Sequence, residues 1–128
     1  MLVIRKEQIQ HFIAKDEQQL SEVIAAAVRE ACADRVEPYD DKELAKMAKI
    51  GIERARKHGL DKAEDLAAFV AVMFEVAPRF DEQPDIRAVL SEPNFAPAAR
   101  FYNLFERIQE PSWQEAEKRY DDTFWAGK

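Results

Sequence analysis

Residues 59–78 read GLDKAEDLAAFVAVMFEVAP, and this stretch decides the fold of the chain. Its apolar residues fall on almost every side of a helix, which is typical of a helix at the centre of a bundle. Gly59 favours a left-handed cap at the end of the preceding helix, and Pro78 ends the central helix because proline cannot continue it. Asp61 and Glu64 have the spacing of a capping box, so we expect the central helix to begin there.

The two helices before this stretch each carry apolar residues on one face, at spacings of three and four. We expect the first helix to run from about Lys6 to Ala33. The second begins at Asp40, which forms a capping box with Glu43. It ends in the basic residues Arg56–His58, which the helix dipole favours near a C-terminus.

Three shorter helices are expected after the central one. The first covers Asp85–Leu90, and the second begins at Pro97, because proline suits the first turn of a helix. The last covers Trp113–Phe124 and starts at a third capping box, made by Ser112 and Glu115.

The composition agrees with an all-helical chain. Hydrophobic residues make up 47% of the 128 residues, which is enough for one core. Only three glycines are present, too few for the many turns of an all-β sandwich. The predicted fold class is therefore all-α: a compact bundle of five to six helices with short connections, in which residues 1–128 form a single helical domain.

Charge and hydropathy restrict the location and the partners. The formal net charge of −6 counts against a nucleic-acid-binding protein. No stretch approaches the roughly 18 apolar residues of a transmembrane helix, and the apolar run Leu2–Ile4 is too short for a signal peptide. We therefore expect a cytoplasmic protein, with no membrane and no nucleic acid among its partners.

Residues that carry chemistry are few and scattered. The sequence has one cysteine, which excludes an internal disulfide and a cysteine-based zinc site. This residue, Cys32, lies beside the apolar stripe of the first helix, a position that favours a buried thiol. His11 and His58 belong to different helices, and His58 fits a helix end. The sequence has no nucleophile elbow and no glycine-rich phosphate loop. We expect no catalytic residue and no cofactor, and therefore a protein that is not an enzyme.

Two groups of charged residues allow a binding role as well as a structural one. Asp81, Glu82 and Asp85 cluster at a turn and suit a hard cation, but a helix cap explains these acids more simply than a metal site does. The bases of the second helix have no interleaved aromatic residues, which favours a solvated face over a nucleic-acid patch. Those bases are Lys42, Lys46, Lys49, Arg56 and Lys57.

The C-terminal half combines acids with aromatic residues. Residues 63–128 hold thirteen acids and seven bases, an excess that favours a basic partner surface. Because Trp and Tyr are enriched in interface hot spots, the final helix is predicted to bind a protein partner. The alternative is that its aromatic stripe packs on the bundle. The predicted partner-binding residues are Trp113, Tyr120, Asp121, Asp122, Phe124 and Trp125.

Several short stretches carry a resemblance to known proteins. They are LVIR (2–5), Gln8, GIERARKHGL (51–60), MF (73–74) and PRFDEQP (78–84). Together they resemble a group of small uncharacterised helical accessory proteins, whose genes often lie beside PAAR-tip, chaperone and toxin genes of bacterial type VI secretion loci. The resemblance covers roughly residues 1–90 and implies an accessory role in effector loading or delivery. Within these motifs, Phe80 is predicted to enter the core and Asp81 to bind its own turn through a backbone hydrogen bond.

The predicted function follows from these features together. It is a non-enzymatic protein-binding accessory, an adaptor or chaperone-like protein of a type VI secretion effector system. The partner expected is an effector chaperone or the effector toxin. The alternative is an immunity protein that inhibits a cognate toxin by direct binding.

Overall fold

A computed structural model describes residues 17–126, and within them all regular structure is helical. The helices are α1 (Glu17–Ala31), α2 (Ala33–Val36), α3 (Asp41–Lys57), α4 (Ala63–Glu75), α5 (Pro84–Leu90), α6 (Pro97–Arg107) and α7 (Glu110–Glu117), with 3-10 turns at Phe80–Glu82 and Asp122–Ala126. The predicted all-α bundle with short connections is confirmed. The expected start of the first helix near Lys6 lies outside the described residues.

Helices α1, α3 and α4 pack against one another and form the centre of the bundle. Two ion pairs fix α1 and α3 as antiparallel neighbours, because they join opposite ends of the two helices. Arg29 Nε lies 3.2 Å from Asp41 Oδ1, and Arg56 Nη1 lies 2.9 Å from Glu17 Oε1. Helix α5 packs on α6, and α7 contacts the 3-10 turn after α4.

Helix α4 is the central helix, as the sequence predicts. Phe69 and Phe74 are completely buried, and so are most of the other apolar residues of α4. Gly51 lets α3 approach α4 closely, since a Cβ atom there would lie only 2.8 Å from Val70 Cγ2. The 3-10 turn after α4 directs Phe80 into the same core, which confirms that prediction.

Both predicted ends of α3 are confirmed. Asp40 Oδ1 accepts a hydrogen bond from the backbone N–H of Glu43 at 2.7 Å, and Glu43 Oε1 accepts one from the N–H of Asp40 at 3.1 Å. Gly59 has φ of 88°, the left-handed conformation that glycine adopts without a steric penalty.

The predicted capping boxes of α4 and α7 are wrong. Helix α4 has Lys62 at its N-cap position and no side-chain cap, so Asp61 lies one residue too early to cap the helix. Helix α7 begins at Glu110, because Pro111 already fits the first helical turn. Ser112 therefore lies inside α7, and its Oγ donates to Asp85 Oδ2 at 2.6 Å instead of capping a helix.

The end of the chain and the start of α5 also differ from expectation. Helix α7 ends at Glu117, and Phe124 belongs to the separate 3-10 turn Asp122–Ala126. Helix α5 is capped by Gln83, whose Oε1 accepts from the N–H of Ile86 at 2.9 Å. The predicted cap by Asp81 or Asp85 is therefore wrong. Asp81 is bound by side chains of α3, and Asp85 lies inside the first turn of α5.

Candidate partner-binding face

The two longest motifs of the sequence meet at one buried carboxylate, Asp81. Arg54 donates from Nε to Asp81 Oδ2 at 3.0 Å and from Nη2 to Oδ1 at 2.7 Å, and His58 Nε2 lies 2.7 Å from Oδ2. Arg54 Nη2 also donates to the exposed Glu82 at 3.0 Å. We call Arg54, His58, Asp81 and Glu82 the Asp81 cluster. The expectation that Asp81 binds its own turn is wrong, because these two side chains take both of its oxygens.

Local structure brings the members of the Asp81 cluster together. Arg54 and His58 are four residues apart on α3, so they project from the same face of the helix. The His58 ring also packs against Phe69 of α4, with 5.4 Å between the ring centroids. On the other side, the buried Phe80 fixes the 3-10 turn that presents Asp81.

The hydrogen-bond partners of Asp81 keep its carboxyl group ionised, although burial alone would favour the neutral form. Burial raises the pKa of the carboxyl, but hydrogen bonds and positive charge from His58 and Arg54 outweigh that effect, and the pKa lies below its ordinary value. Burial lowers the pKa of Arg54, whereas Asp81 and Glu82 raise it, and the net direction is upward. The Arg54–Asp81 pair is thus fully ionised at neutral pH and ties α3 to the turn after α4.

The C-terminal 3-10 turn packs directly beside the Asp81 cluster. The guanidinium carbons of Arg54 and Arg79 lie 5.2 and 5.5 Å from the centroid of the Phe124 ring, within cation–π range. Trp125 stacks on Phe74 of α4, with 4.4 Å between centroids and 9° between planes. One arginine therefore links α3, the turn after α4 and the end of the chain.

The six predicted partner-binding residues divide into a buried and an exposed set. The buried residues are Trp113, Phe124 and Trp125. Tyr120 is half-buried, and its Oη accepts a hydrogen bond from Trp125 Nε1 at 3.3 Å. Asp121 and Asp122 are exposed. In this conformation a partner reaches the two acids and part of Tyr120, and contact through the three buried aromatic residues stays a prediction.

A shallow pocket of about 210 Å³ lies on this face. Its lining residues are Arg79, Glu82, Gln83, Ala116, Arg119 and Asp121. Asp121 Oδ1 accepts from the backbone N–H and from Oγ1 of Thr123, at 2.9 and 2.6 Å, and these bonds lower the pKa of Asp121. The pocket therefore presents fixed charges of both signs, an arrangement that suits a protein surface better than a small apolar ligand. We call this surface, with its exposed acids, the C-terminal face.

Elsewhere a larger open groove of about 670 Å³ lies between α1 and the start of α3. Its charged lining residues are Glu22, Arg29, Glu30, Asp41 and Lys42, above a floor of alanines. Acids and bases alternate around this groove, so it shows no preference for a ligand of either charge.

The Cys32 thiol, the possible metal ligands and the bases of α3 were the other candidates for a chemical role. Cys32 is buried, and burial together with the nearby charge of Glu75 raises the pKa of its thiol to about 12. Within residues 17–126, no group of three or more acidic, histidine or cysteine side chains is placed to hold a metal ion. The five bases of α3 that were considered for a nucleic-acid patch are exposed to solvent, as expected for a solvated helix face; they are Lys42, Lys46, Lys49, Arg56 and Lys57.

Sequence reasoning missed the central feature of this face. Arg54 and Asp81 are 27 residues apart, and local spacing carries no information on such a pair. The signal available was that each residue belongs to one of the two long motifs quoted above.

Comparison of the chain with protein-family models, with curated proteins and with solved structures finds no match in any of the three. Within the described residues, no helix has both the length and the apolar character needed to cross a membrane.

Proposed function

We propose that this chain is a non-enzymatic accessory protein that binds another protein, as an adaptor or chaperone-like component of a bacterial type VI secretion effector system. It acts in the cytoplasm of the producing cell, on an effector chaperone or on the effector toxin itself. The observation that carries the proposal is the C-terminal face, where exposed acids outnumber exposed bases around a shallow pocket beside a packed aromatic cluster.

The rigid support under this face favours protein binding. Arg79 lines the pocket and also lies over the buried Phe124, so the pocket wall is held by the core. A preorganised surface loses little conformational entropy when it binds, which leaves more of the contact energy for affinity.

The charge of this face defines the kind of partner. Five acids of this face are exposed, against three exposed bases. The acids are Glu82, Glu115, Glu117, Asp121 and Asp122, and the bases are Arg79, Lys118 and Arg119. Such an acidic excess attracts a basic protein surface and raises the rate of association.

The chemistry of the most reactive groups supports a non-enzymatic role. Asp81 has both oxygens occupied and a lowered pKa, which makes it a weak proton acceptor. The thiol of Cys32 is buried and protonated at neutral pH, which makes it a weak nucleophile.

An immunity protein is the second candidate. The same acidic face would cover the basic surface of a toxin, and inhibition by direct binding needs no chemistry from this chain. The two candidates differ in one outcome, which is whether the chain protects cells that express the toxin.

The test uses the whole chain with the genes that surround it. The tagged chain is co-expressed with each neighbouring gene product and purified, and cells expressing the toxin are scored for survival. We expect a stable complex with a chaperone or effector and no protection. Protection by this chain alone would replace the adaptor with the immunity protein.

A variant with two reversed charges tests whether the partner binds at the C-terminal face. We expect Glu117→Lys with Asp122→Lys to slow association with the captured partner by at least about tenfold at low salt. The matched control is Glu22→Lys with Glu30→Lys, which reverses two exposed acids on α1. Equal rates for the two double variants would place the contact elsewhere.

A further inference from the structure

The open groove between α1 and the start of α3 separates acids on one helix from bases on the other. Glu22 and Glu30 line it from α1, and Lys42 lines it from α3, where Lys49 continues the same helix face two turns further on. All four side chains are exposed, and none of them forms an ion pair within residues 17–126. Glu22 accepts a hydrogen bond from Gln18 Nε2 at 3.2 Å, which leaves its charge uncompensated.

The outer acid and base of the groove lie at the same level along the two helices. The Arg29–Asp41 ion pair marks that level, and α1 and α3 run in opposite directions from it. Glu30 follows Arg29 directly, and Lys42 follows Asp41 directly. Both therefore stay within one helical turn of the ion pair, yet they do not pair with each other across the groove.

The inner acid and base are level as well. Glu22 lies seven residues before the arginine of that ion pair, and Lys49 lies eight residues after its aspartate. Because the helices are antiparallel, these two positions coincide along the axis to about one residue. Between the two levels the floor of the groove consists of the small side chains Ala25, Ala26 and Ala45, which leave about 670 Å³ open.

A surface of this kind is complementary to itself. When a second copy is rotated by half a turn about an axis parallel to the two helices, its α3 lies over α1 and its α1 lies over α3. The rotation leaves every level along the axis unchanged. Glu22 then faces Lys49 of the second copy, Glu30 faces Lys42 of the second copy, and symmetry repeats both pairs.

We propose that this surface of α1 and α3, called the α1–α3 face, binds a second copy of the chain in a two-fold symmetric dimer of four packed helices. The inference goes beyond the proposed function and does not depend on it. Helix α1 has 15 residues, and two helices side by side are about 20 Å wide, so the face measures roughly 22 by 20 Å. The two copies together bury roughly 900 Å², which is less than a stable complex buries, and we expect a Kd on the order of 10–100 µM.

The experiment follows the mass of the full chain by sedimentation velocity, with no other protein present. Between about 5 and about 500 µM, we expect the average mass to rise from that of one chain nearly to that of two. At about 0.5 M salt the mass should fall again, because salt screens exposed ion pairs. A single chain at every concentration would overturn the dimer and leave the groove to residues 1–16 or to a foreign protein. Growth beyond two chains would overturn the two-fold arrangement.

Two charge-reversal variants test the α1–α3 face itself. Glu22→Lys with Glu30→Lys places lysine opposite lysine, and Lys42→Glu with Lys49→Glu places glutamate opposite glutamate. Each should weaken dimerisation at least about tenfold. An equimolar mixture of the two variants brings opposite charges together in all four pairs, so it should dimerise like the unaltered chain, which also shows that both variants are folded. Undiminished dimerisation of either variant alone, or no gain on mixing, would overturn the α1–α3 face.

Glu117→Lys with Asp122→Lys is the matched control, because it reverses two exposed acids of the C-terminal face. We expect this control to leave dimerisation unchanged. An equal loss of dimerisation in the control would show that net charge decides self-association, and it would overturn the proposed face. If the dimer forms as expected but no foreign partner is captured, the dimer stands and the adaptor proposal fails.

Discussion

Replacing Asp81 with asparagine removes the charge at the centre of the Asp81 cluster and keeps its shape. The carboxylate side chain is only 5% exposed and accepts three hydrogen bonds from Arg54 and His58. Asparagine keeps one acceptor oxygen and has no charge, so at least one of the three bonds is lost and the others are no longer charge-assisted from the acceptor side; a hydrogen bond to a charged group is worth about 1.5 kcal/mol or more. We expect Asp81→Asn to lower the free energy of unfolding by about 3 kcal/mol, at the lower end of the cost of breaking a buried ion pair.

Glu82→Gln is the matched control, because Glu82 binds the same arginine. Its side chain is 58% exposed, and an exposed ion pair contributes at most about 1 kcal/mol. Both free energies come from urea denaturation at neutral pH, followed by far-ultraviolet circular dichroism. If the two variants cost the same, burial does not decide the strength of these bonds, and our account of Asp81 is wrong.

The pH dependence of the same variant gives an independent check. Because the folded-state pKa of Asp81 is depressed, its stabilising effect is complete above the unfolded-state pKa of about 3.9 and disappears as the pH falls through the lower folded value. The stability difference between the unaltered chain and Asp81→Asn should therefore be larger at about pH 5 than at about pH 2, and it should narrow below about pH 4. A difference that stays constant down to about pH 2 would contradict the depressed pKa.

Three further predictions test the core and the caps. Phe74→Ala should cost about 3–5 kcal/mol in urea denaturation, since the side chain is completely buried and supports Trp125; an unchanged midpoint would contradict the central place of α4. Gly59→Ala should cost about 1–2 kcal/mol, because φ is 88° and the new Cβ would lie 2.7 Å from Pro97 Cγ; a neutral effect in the same assay would refute this strain. Cys32 should react with a thiol reagent only as fast as the chain unfolds, and rapid labelling of the folded protein would show that the thiol is accessible.

Local signals in the sequence were sufficient for most helices. The capping box at Asp40 and the glycine at residue 59 give the ends of α3 correctly, because each acts on backbone groups within four residues. The apolar residues on all sides of α4 identify the central helix for a similar reason, since burial on every side needs no knowledge of the neighbours.

The same signals failed where two local rules compete or a distant contact decides. Ser112 matches a helix cap, but Pro111 before it already fits a helical turn, and Asp85 from a distant helix binds the hydroxyl. Phe124 continues the helical spacing of Trp113, yet the chain leaves the helix after Glu117 and packs this ring under two arginines. No periodic pattern contains such a tertiary contact.

The sequence predicts which types of residue the candidate site contains, but not how those residues are arranged in space. The sequence identifies the aromatic and acidic character of the final segment. The exposure of Asp121 and the burial of Trp125 follow only from the three-dimensional packing.

Because Trp125 stacks on Phe74, its fluorescence can report on the packing of the C-terminal 3-10 turn. The protein has two tryptophans, and Trp113 lies instead between the rings of Phe105 and Phe80, 5.9 and 6.5 Å away. In a Trp113→Phe variant, the remaining tryptophan emission comes from Trp125 alone, so it reports whether the C-terminal turn is packed on α4. The wavelength of that emission distinguishes a partner that binds over the closed turn from one that displaces it, without any label added to the protein.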